Sequence, residues 1–270
     1  FPTRRSSDLK VFAAILSIAL IAGVSACGEK KAEGPDYADD EAMSIIAEGF
    51  SKRSSLIDKL KGQGKDTSES KNLQQIIQAE IDNDKPLKAR QFKDSKLQEQ
   101  IIAYLNSLDD QLAVVKKYSS TSAEYTTAWS EAYDKRSTIL KTFVDKYGLK
   151  VDSKYQDTLD DLVRNGNSVQ EKNETDQVIN NLVSSAQFDR TEAEYGGYYT
   201  YSAVIENTSK INFSNVSLLL ALYDADGVKV EETFANTSSW AAGEKVRFEA
   251  VTDVNAAQVK VSVSNYDVVK

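Results

Sequence analysis

Near residue 190 the spacing of apolar residues changes from three-and-four to two, and this change constrains the fold more than any other feature of the chain. Before it, apolar residues recur as they do along one face of a helix. Leu97, Ile101, Tyr104, Leu105, Leu108, Leu112 and Val115 are the clearest run. A helix bearing Met43, Ile46, Phe50, Leu56, Ile57 and Leu60 starts where Asp39 and Asp40 can cap it and stops at Gly62-Gln63-Gly64. Another runs from about Ser70 through Leu73, Ile76, Ile77 and Ile81 and ends before Pro86. A further one carries Tyr125, Trp129, Ala132, Ile139, Phe143 and Tyr147, with Gly148 as its stop. Two shorter helices are expected next, one with Tyr155, Leu159 and Leu162, the other with Val169, Val178, Ile179, Leu182 and Val183. One apolar stripe per helix predicts an antiparallel bundle with short loops.

After the change, Tyr199, Tyr201, Ala203 and Ile205 alternate with polar neighbours. So do Val216, Leu218, Leu220 and Leu222, then Val246, Phe248 and Ala250, then Val259, Val261 and Val263. Turn residues separate them at Asn207-Thr208-Ser209, Asp224-Ala225-Asp226-Gly227 and Ala242-Gly243-Glu244. Short strands at this spacing predict an all-β sandwich of about 80 residues. The fold class expected is α+β and multidomain, with a helical bundle over 39–188 and a sandwich over 189–270. The polar boundary around Asp189, Arg190, Glu192, Glu194 and Gly196-Gly197 predicts halves that fold independently.

The start of the chain has a different character. Residues 10–26 read KVFAAILSIALIAGVSA, a basic flank followed by an apolar run that ends in small residues, as in a secretory signal. The run closes on Val24-Ser25-Ala26-Cys27, which holds the single cysteine of the sequence and resembles a bacterial lipobox. The resemblance implies a diacylglycerol on the thiol of Cys27, removal of 1–26 as a signal peptide, and a protein anchored by lipid on the extracytoplasmic face of the cell membrane. Residues 27–38 then read as a tether, with Gly, Pro and charge and no period. The opening FPTRRSSDL resembles translated sequencing-adapter read-through, so 1–9 is treated as artefactual.

Composition narrows the chemistry. The formal net charge is −8, and removing 1–26 makes the remainder more acidic still, which speaks against DNA, RNA or bare anionic lipid as partners. No histidine is present, so a catalytic His is impossible and the usual zinc sites are excluded. No disulfide can form within the chain from one cysteine.

In the C-terminal part, Leu220-Ala221-Leu222-Tyr223-Asp224 followed by Asp226-Gly227 resembles the signature of the FxLYD domain, an immunoglobulin-like module of bacterial lipoproteins, with Leu220 where that signature has Phe. Tyr201-x-Ala203-x-Ile205-x-Asn207 resembles the family's earlier strand, and Gly243-Glu244 with Phe248 its later one. The likeness covers about 190–268 and implies an immunoglobulin-like sandwich with no catalytic residues to carry over.

Other motifs fall short. Ser68-x-x-Lys71 lacks the companion elements of penicillin-recognising enzymes, Gly62-Gln63-Gly64-Lys65 lacks the spacing of a phosphate loop, and Asp224-Ala225-Asp226-Gly227 reads as a hairpin turn rather than a calcium loop. The stripe Tyr125, Trp129, Tyr133 is read as core, and the cluster Tyr195, Tyr198, Tyr199, Tyr201 as a tyrosine-rich strand with at least one exposed ring. The expected function is a non-catalytic binding or interaction module at the cell envelope, with Cys27 as its lipidation site and with no catalytic, metal or cofactor residues. Its expected partners are the membrane, through that lipid, and an envelope protein or cell-wall glycan, with no nucleic acid. The competing class is an envelope enzyme using Ser-Lys or paired carboxylates.

Overall fold

The computed structural model describes residues 36–194 and 196–269. Cys27, the signal segment, nearly all of the tether and Tyr195 lie outside them. Five helices come first: α1 Asp39–Gly62, α2 Ser70–Asp84, α3 Ser95–Lys117, α4 Ala123–Tyr147 and α5 Gln156–Ser184. Six strands follow: β1 Asp189–Glu192, β2 Tyr199–Glu206, β3 Phe213–Tyr223, β4 Lys229–Trp240, β5 Lys245–Thr252 and β6 Gln258–Val268. The expectation of helices followed by strands, an α+β chain, holds. Among the described residues no helix is long and apolar enough to cross a membrane.

Each helix packs on the next in sequence, and the stripes read from spacing are the ones that bury. All seven apolar residues expected to mark α3 are in the helical core. The Asp94 carboxylate caps α3 by accepting from the backbone N–H groups of Lys96 and Leu97, at 2.8 and 3.2 Å. Helix α4 ends as expected, with Gly148 at φ 69° letting the Leu149 N–H reach the Phe143 carbonyl at 3.0 Å. Helix α1 starts differently. Its N-cap is Ala38, and the Asp39 carboxylate instead accepts the backbone N–H groups of Lys93 and Asp94, both at 2.8 Å. These bonds tie the start of α1 to the start of α3 and hold Asp39 below the usual carboxylate range.

The two shorter helices expected after α4 are one helix of 29 residues. Gly166 does not break it, because this glycine is a point of close approach: a Cβ built on it would lie 2.7 Å from the Ser137 carbonyl oxygen of α4. Leu159 and Leu162 bury in the helical core, whereas Ile179 and Val183 bury among the strands. The element type changes at 188/189, but apolar packing crosses that boundary, and both cores share α5.

The strands form two antiparallel three-stranded sheets, ordered β1-β2-β5 and β4-β3-β6. Their inward rows share one core: Tyr201, Ala203, Ile205, Phe248 and Ala250 from the first, and Phe213, Val216, Leu218, Leu220, Leu222, Ala235 and Trp240 from the second. Strands β1 and β4 were not visible as alternation. All four residues of β1 are exposed. In β4 the positions paired with inward-facing Leu222 and Leu220 are Glu231 and Thr233, while Phe234 is half exposed.

Gly166→Ala is expected to force α4 and α5 apart and to lower stability by about 1–3 kcal/mol, outweighing the gain of about 1 kcal/mol in helix propensity. Gly62→Ala, where a Cβ meets nothing within 4 Å, is expected to be neutral or stabilising. Urea denaturation of the two variants measures the contrast, and equal midpoints would refute the close approach.

Candidate functional site

The helical core encloses a charged network. Glu80 on α2 is fully buried. Its carboxylate accepts hydrogen bonds from the Tyr104 hydroxyl of α3 at 2.5 Å, from Arg136 Nη2 of α4 at 2.7 and 3.0 Å, and from Arg53 Nη1 of α1 at 2.9 Å. Arg53 Nη1 also donates to Gln111 Oε1 at 3.0 Å. The Arg136 guanidinium stands 5.6 Å from the Phe50 ring and 5.8 Å from the Tyr104 ring. Burial pushes the Glu80 carboxyl up, but the Arg136 and Arg53 charges outweigh it and hold it down to about 2.

One turn along α2, Asp84 is equally buried and behaves oppositely. Desolvation, reinforced by the Glu80 charge, pushes its carboxyl up to about 8, so it is protonated at neutral pH. Asn83 Nδ2 donates to Asp84 Oδ1 at 3.0 Å. The carboxyl fits because Gly49 lies beside it: a Cβ there would come within 2.2 Å of Asp84 Oδ1. Asp84 Oδ2, Gln111 Nε2, Arg136 Nε and Ser137 Oγ have no hydrogen-bond partner among the described residues.

Two carboxyls with pKa values driven apart are the pattern of an acid and a base. Here both are sealed between helices, out of contact with solvent. What the arrangement does in the closed protein is join four helices at one carboxylate. Sequence reading missed it because Glu80 and Asp84 look like polar members of an amphipathic helix; the one signal was their i, i+4 spacing beside the apolar Ile76, Ile77 and Ile81.

The residues singled out by sequence are scattered. Ser68 Oγ donates to Asp66 Oδ1 at 2.6 Å, and both Ser68 and Lys71 are exposed. Tyr125, Trp129 and Tyr133 are half-buried against the helical core, the first two stacked at 6.0 Å. Asp224 Oδ1 accepts the backbone N–H groups of Asp226 and Val228, at 3.0 and 2.9 Å, within the β3–β4 turn. Tyr198 is 58 % exposed, whereas Tyr201 is buried, with its hydroxyl donating to the Val254 carbonyl at 2.9 Å and accepting the Ala256 N–H at 2.7 Å. Among the described residues no three Cys, Asp or Glu side chains group to hold a metal ion. Cys27 lies outside the described residues.

A groove of about 750 Å³ lies between α5 and β6. One wall is a helix face with Ser168, Glu171, Lys172 and Thr175; the other is residues 263–268 of β6. Lys172 Nζ pairs with Asp176 Oδ2 at 2.6 Å, and the Tyr266 hydroxyl bonds Asp176 Oδ1, clamping strand to helix. Lys172 and then Tyr266 lower the Asp176 pKa, while burial and then the Asp176 contact raise that of Tyr266. The Tyr266 hydroxyl is thus held on a carboxylate but made harder to deprotonate, not easier.

No family model and no curated protein matches the chain. Among solved structures it is similar to the Pseudomonas fluorescens alkylpurine DNA glycosylase AlkC bound to DNA containing an abasic site analog, at 9 % identity and a TM-score of 0.20, over 69 % of this chain. The match spans 61 % of that protein's length. The neighbour is itself bound to DNA, whereas the sequence reading excludes nucleic acid and points to the membrane, an envelope protein or cell-wall glycan. Those expected partners gain no support from the comparison, and a likeness at TM-score 0.20 puts none in their place.

Asp84 gives a pH signature. The folded protein keeps this proton up to about pH 8, while the unfolded chain releases it near pH 4. Between those values the folded state binds more protons, so stability falls as pH rises, by at most about 1.4 kcal/mol per pH unit. Below about pH 4 both states carry the proton and the effect vanishes. Asp84→Asn is therefore expected to be the more stable protein at pH 8 and to match the parent near pH 4. Urea denaturation at both values tests it, and parallel pH dependence would show that Asp84 is ionised when folded. Glu80→Gln, which leaves two guanidiniums without their counter-charge, is expected to lose about 3–5 kcal/mol at neutral pH.

Proposed function

We propose that this chain is an extracytoplasmic lipoprotein, lipid-modified at Cys27, whose body is a non-catalytic binding module. The observation that carries the binding reading is the separation of chemistry from access: the strongly shifted carboxyls, Glu80 and Asp84, are sealed in the helical core, while the open groove between α5 and β6 presents hydroxyl, amide and charged side chains without an activated nucleophile. The lipoprotein reading rests on Val24-Ser25-Ala26-Cys27 at the end of the apolar run. The β part is read as an FxLYD-type, immunoglobulin-like sandwich on the residues Leu220–Asp224 and Asp226-Gly227, and two sheets burying one core support it.

Metabolic labelling with a palmitate analogue in a bacterial host tests the lipoprotein reading. The parent chain is expected to take the label and lose its leader, and Cys27→Ser to do neither. Label persisting in Cys27→Ser, or missing from the parent, would sink it.

A further inference from the structure

Strand β6 ends the sheet β4-β3-β6 and pairs with β3 alone. Successive side chains of a strand point to opposite faces, so a wall made of six consecutive residues, 263–268, is not a face of the sheet but its edge. Along this stretch the ladder to β3 is irregular: register shifts leave Ser264 and Tyr266 without Cα partners. Opposite them stands Asn215, the one described non-glycine residue with positive φ, at 50°. Asn215 Nδ2 donates to Asp267 Oδ2 at 2.8 Å, and Asn265 Nδ2 to the Asn215 carbonyl at 3.4 Å. A bulge of this kind turns the strand, and here it faces the groove. A strand of 11 residues with Lys260 and Asp267 as its only charged side chains carries few of the charges that ordinarily guard an edge strand.

Across the groove the facing side of α5 is polar, and α5 approaches β6 through the Tyr266–Asp176 clamp. The exposed Val268 lies at the strand's end. The charge of the groove is one-sided: Glu171, Asp176 and Asp267 set three carboxylates against the single ammonium of Lys172, which Asp176 already holds. Six strand residues extend for about 20 Å, and the groove along them measures about 750 Å³.

We propose that the groove between α5 and β6 takes an extended, basic segment of another polypeptide, which adds as a strand to the free edge of β6. Main-chain hydrogen bonds to the edge supply the docking, and Glu171 and Asp267 select for Lys or Arg on the incoming strand. The proposal rests on the reading of the body as a binding module and names the class of ligand.

The test uses the full chain and two short synthetic peptides, one alternating valine with lysine, the other valine with glutamate. Peptide fluorescence anisotropy and amide hydrogen exchange are the readouts. The lysine peptide is expected to bind and to slow exchange at the amides of 263–268. Thr175→Trp, which fills the groove from the helix side, is expected to abolish both effects with an unchanged circular-dichroism spectrum. The surface pair Glu171→Lys with Asp267→Lys, which leaves both cores intact, is expected to weaken binding about tenfold at low salt. Exchange at 263–268 that ignores saturating lysine peptide would overturn the proposal, as would equal binding of the glutamate peptide. Protection that grows with protein concentration and no peptide would identify a second copy of the chain as the occupant, and would overturn it too. Anisotropy that rises while 263–268 stay unprotected and Thr175→Trp still binds would locate a binding surface elsewhere: strand addition then fails and the binding-module reading stands. Lipid labelling of Cys27 is independent of all these outcomes.

Discussion

The helical part depends on one carboxylate. A buried charge is expensive to desolvate, and Glu80 is tolerated because three helices each send it a donor: Arg53 from α1, Tyr104 from α3 and Arg136 from α4. Once those donors converge, a shift of any of the four helices takes a hydrogen bond away from a charge in the interior. The network has two guanidiniums and one ionised carboxylate, because Asp84 holds its proton. Arg53 is the guanidinium with some solvent contact, at 12 % side-chain exposure against 3 % for Arg136, so the excess positive charge lies toward water. Gly49 completes the arrangement by leaving the volume that the protonated Asp84 occupies.

Helix α5 connects this core to the other one. At 29 residues it is about 44 Å long, long enough to bury its start among helices and its end among strands. The stretch between Gly166 and Ile179 contains no buried residue. That exposed middle runs past the end of β6, touching it through Asp176 and Tyr266, and so leaves a polar groove where a helix fully packed on the sheet would have covered the strand's edge. The same continuity gives the strands apolar partners from outside the β segment, Ile179 and Val183.

Much of the architecture was legible because spacing alone reports which face of an element is apolar. The stripe of α3, the inward rows of β2 and β3, the stop at Gly148 and the Asp224 turn follow from local rules and occur as read. Strands β1 and β4 were not legible, since the first is wholly exposed and the second carries Glu231 and Thr233 where alternation calls for apolar residues; only pairing with a neighbour defines them. The division of α5 into two helices failed because its two apolar stretches bury in different cores, with no buried residue between Gly166 and Ile179 to join their stripes. Asp39 was read as a cap for its own helix, but its carboxylate serves the backbone of a segment more than fifty residues away.

By itself the sequence determined the order of helices and strands, the absence of histidine chemistry, and the presence of one thiol at the close of an apolar run. Those properties are local, readable from composition and period. Tertiary structure decided which polar residues became a buried network, because Glu80 and Asp84 are indistinguishable from surface carboxylates until four helices close around them. It also decided that β6 has a free edge facing α5, because an edge is a relation between strands distant in sequence, and no single segment encodes it.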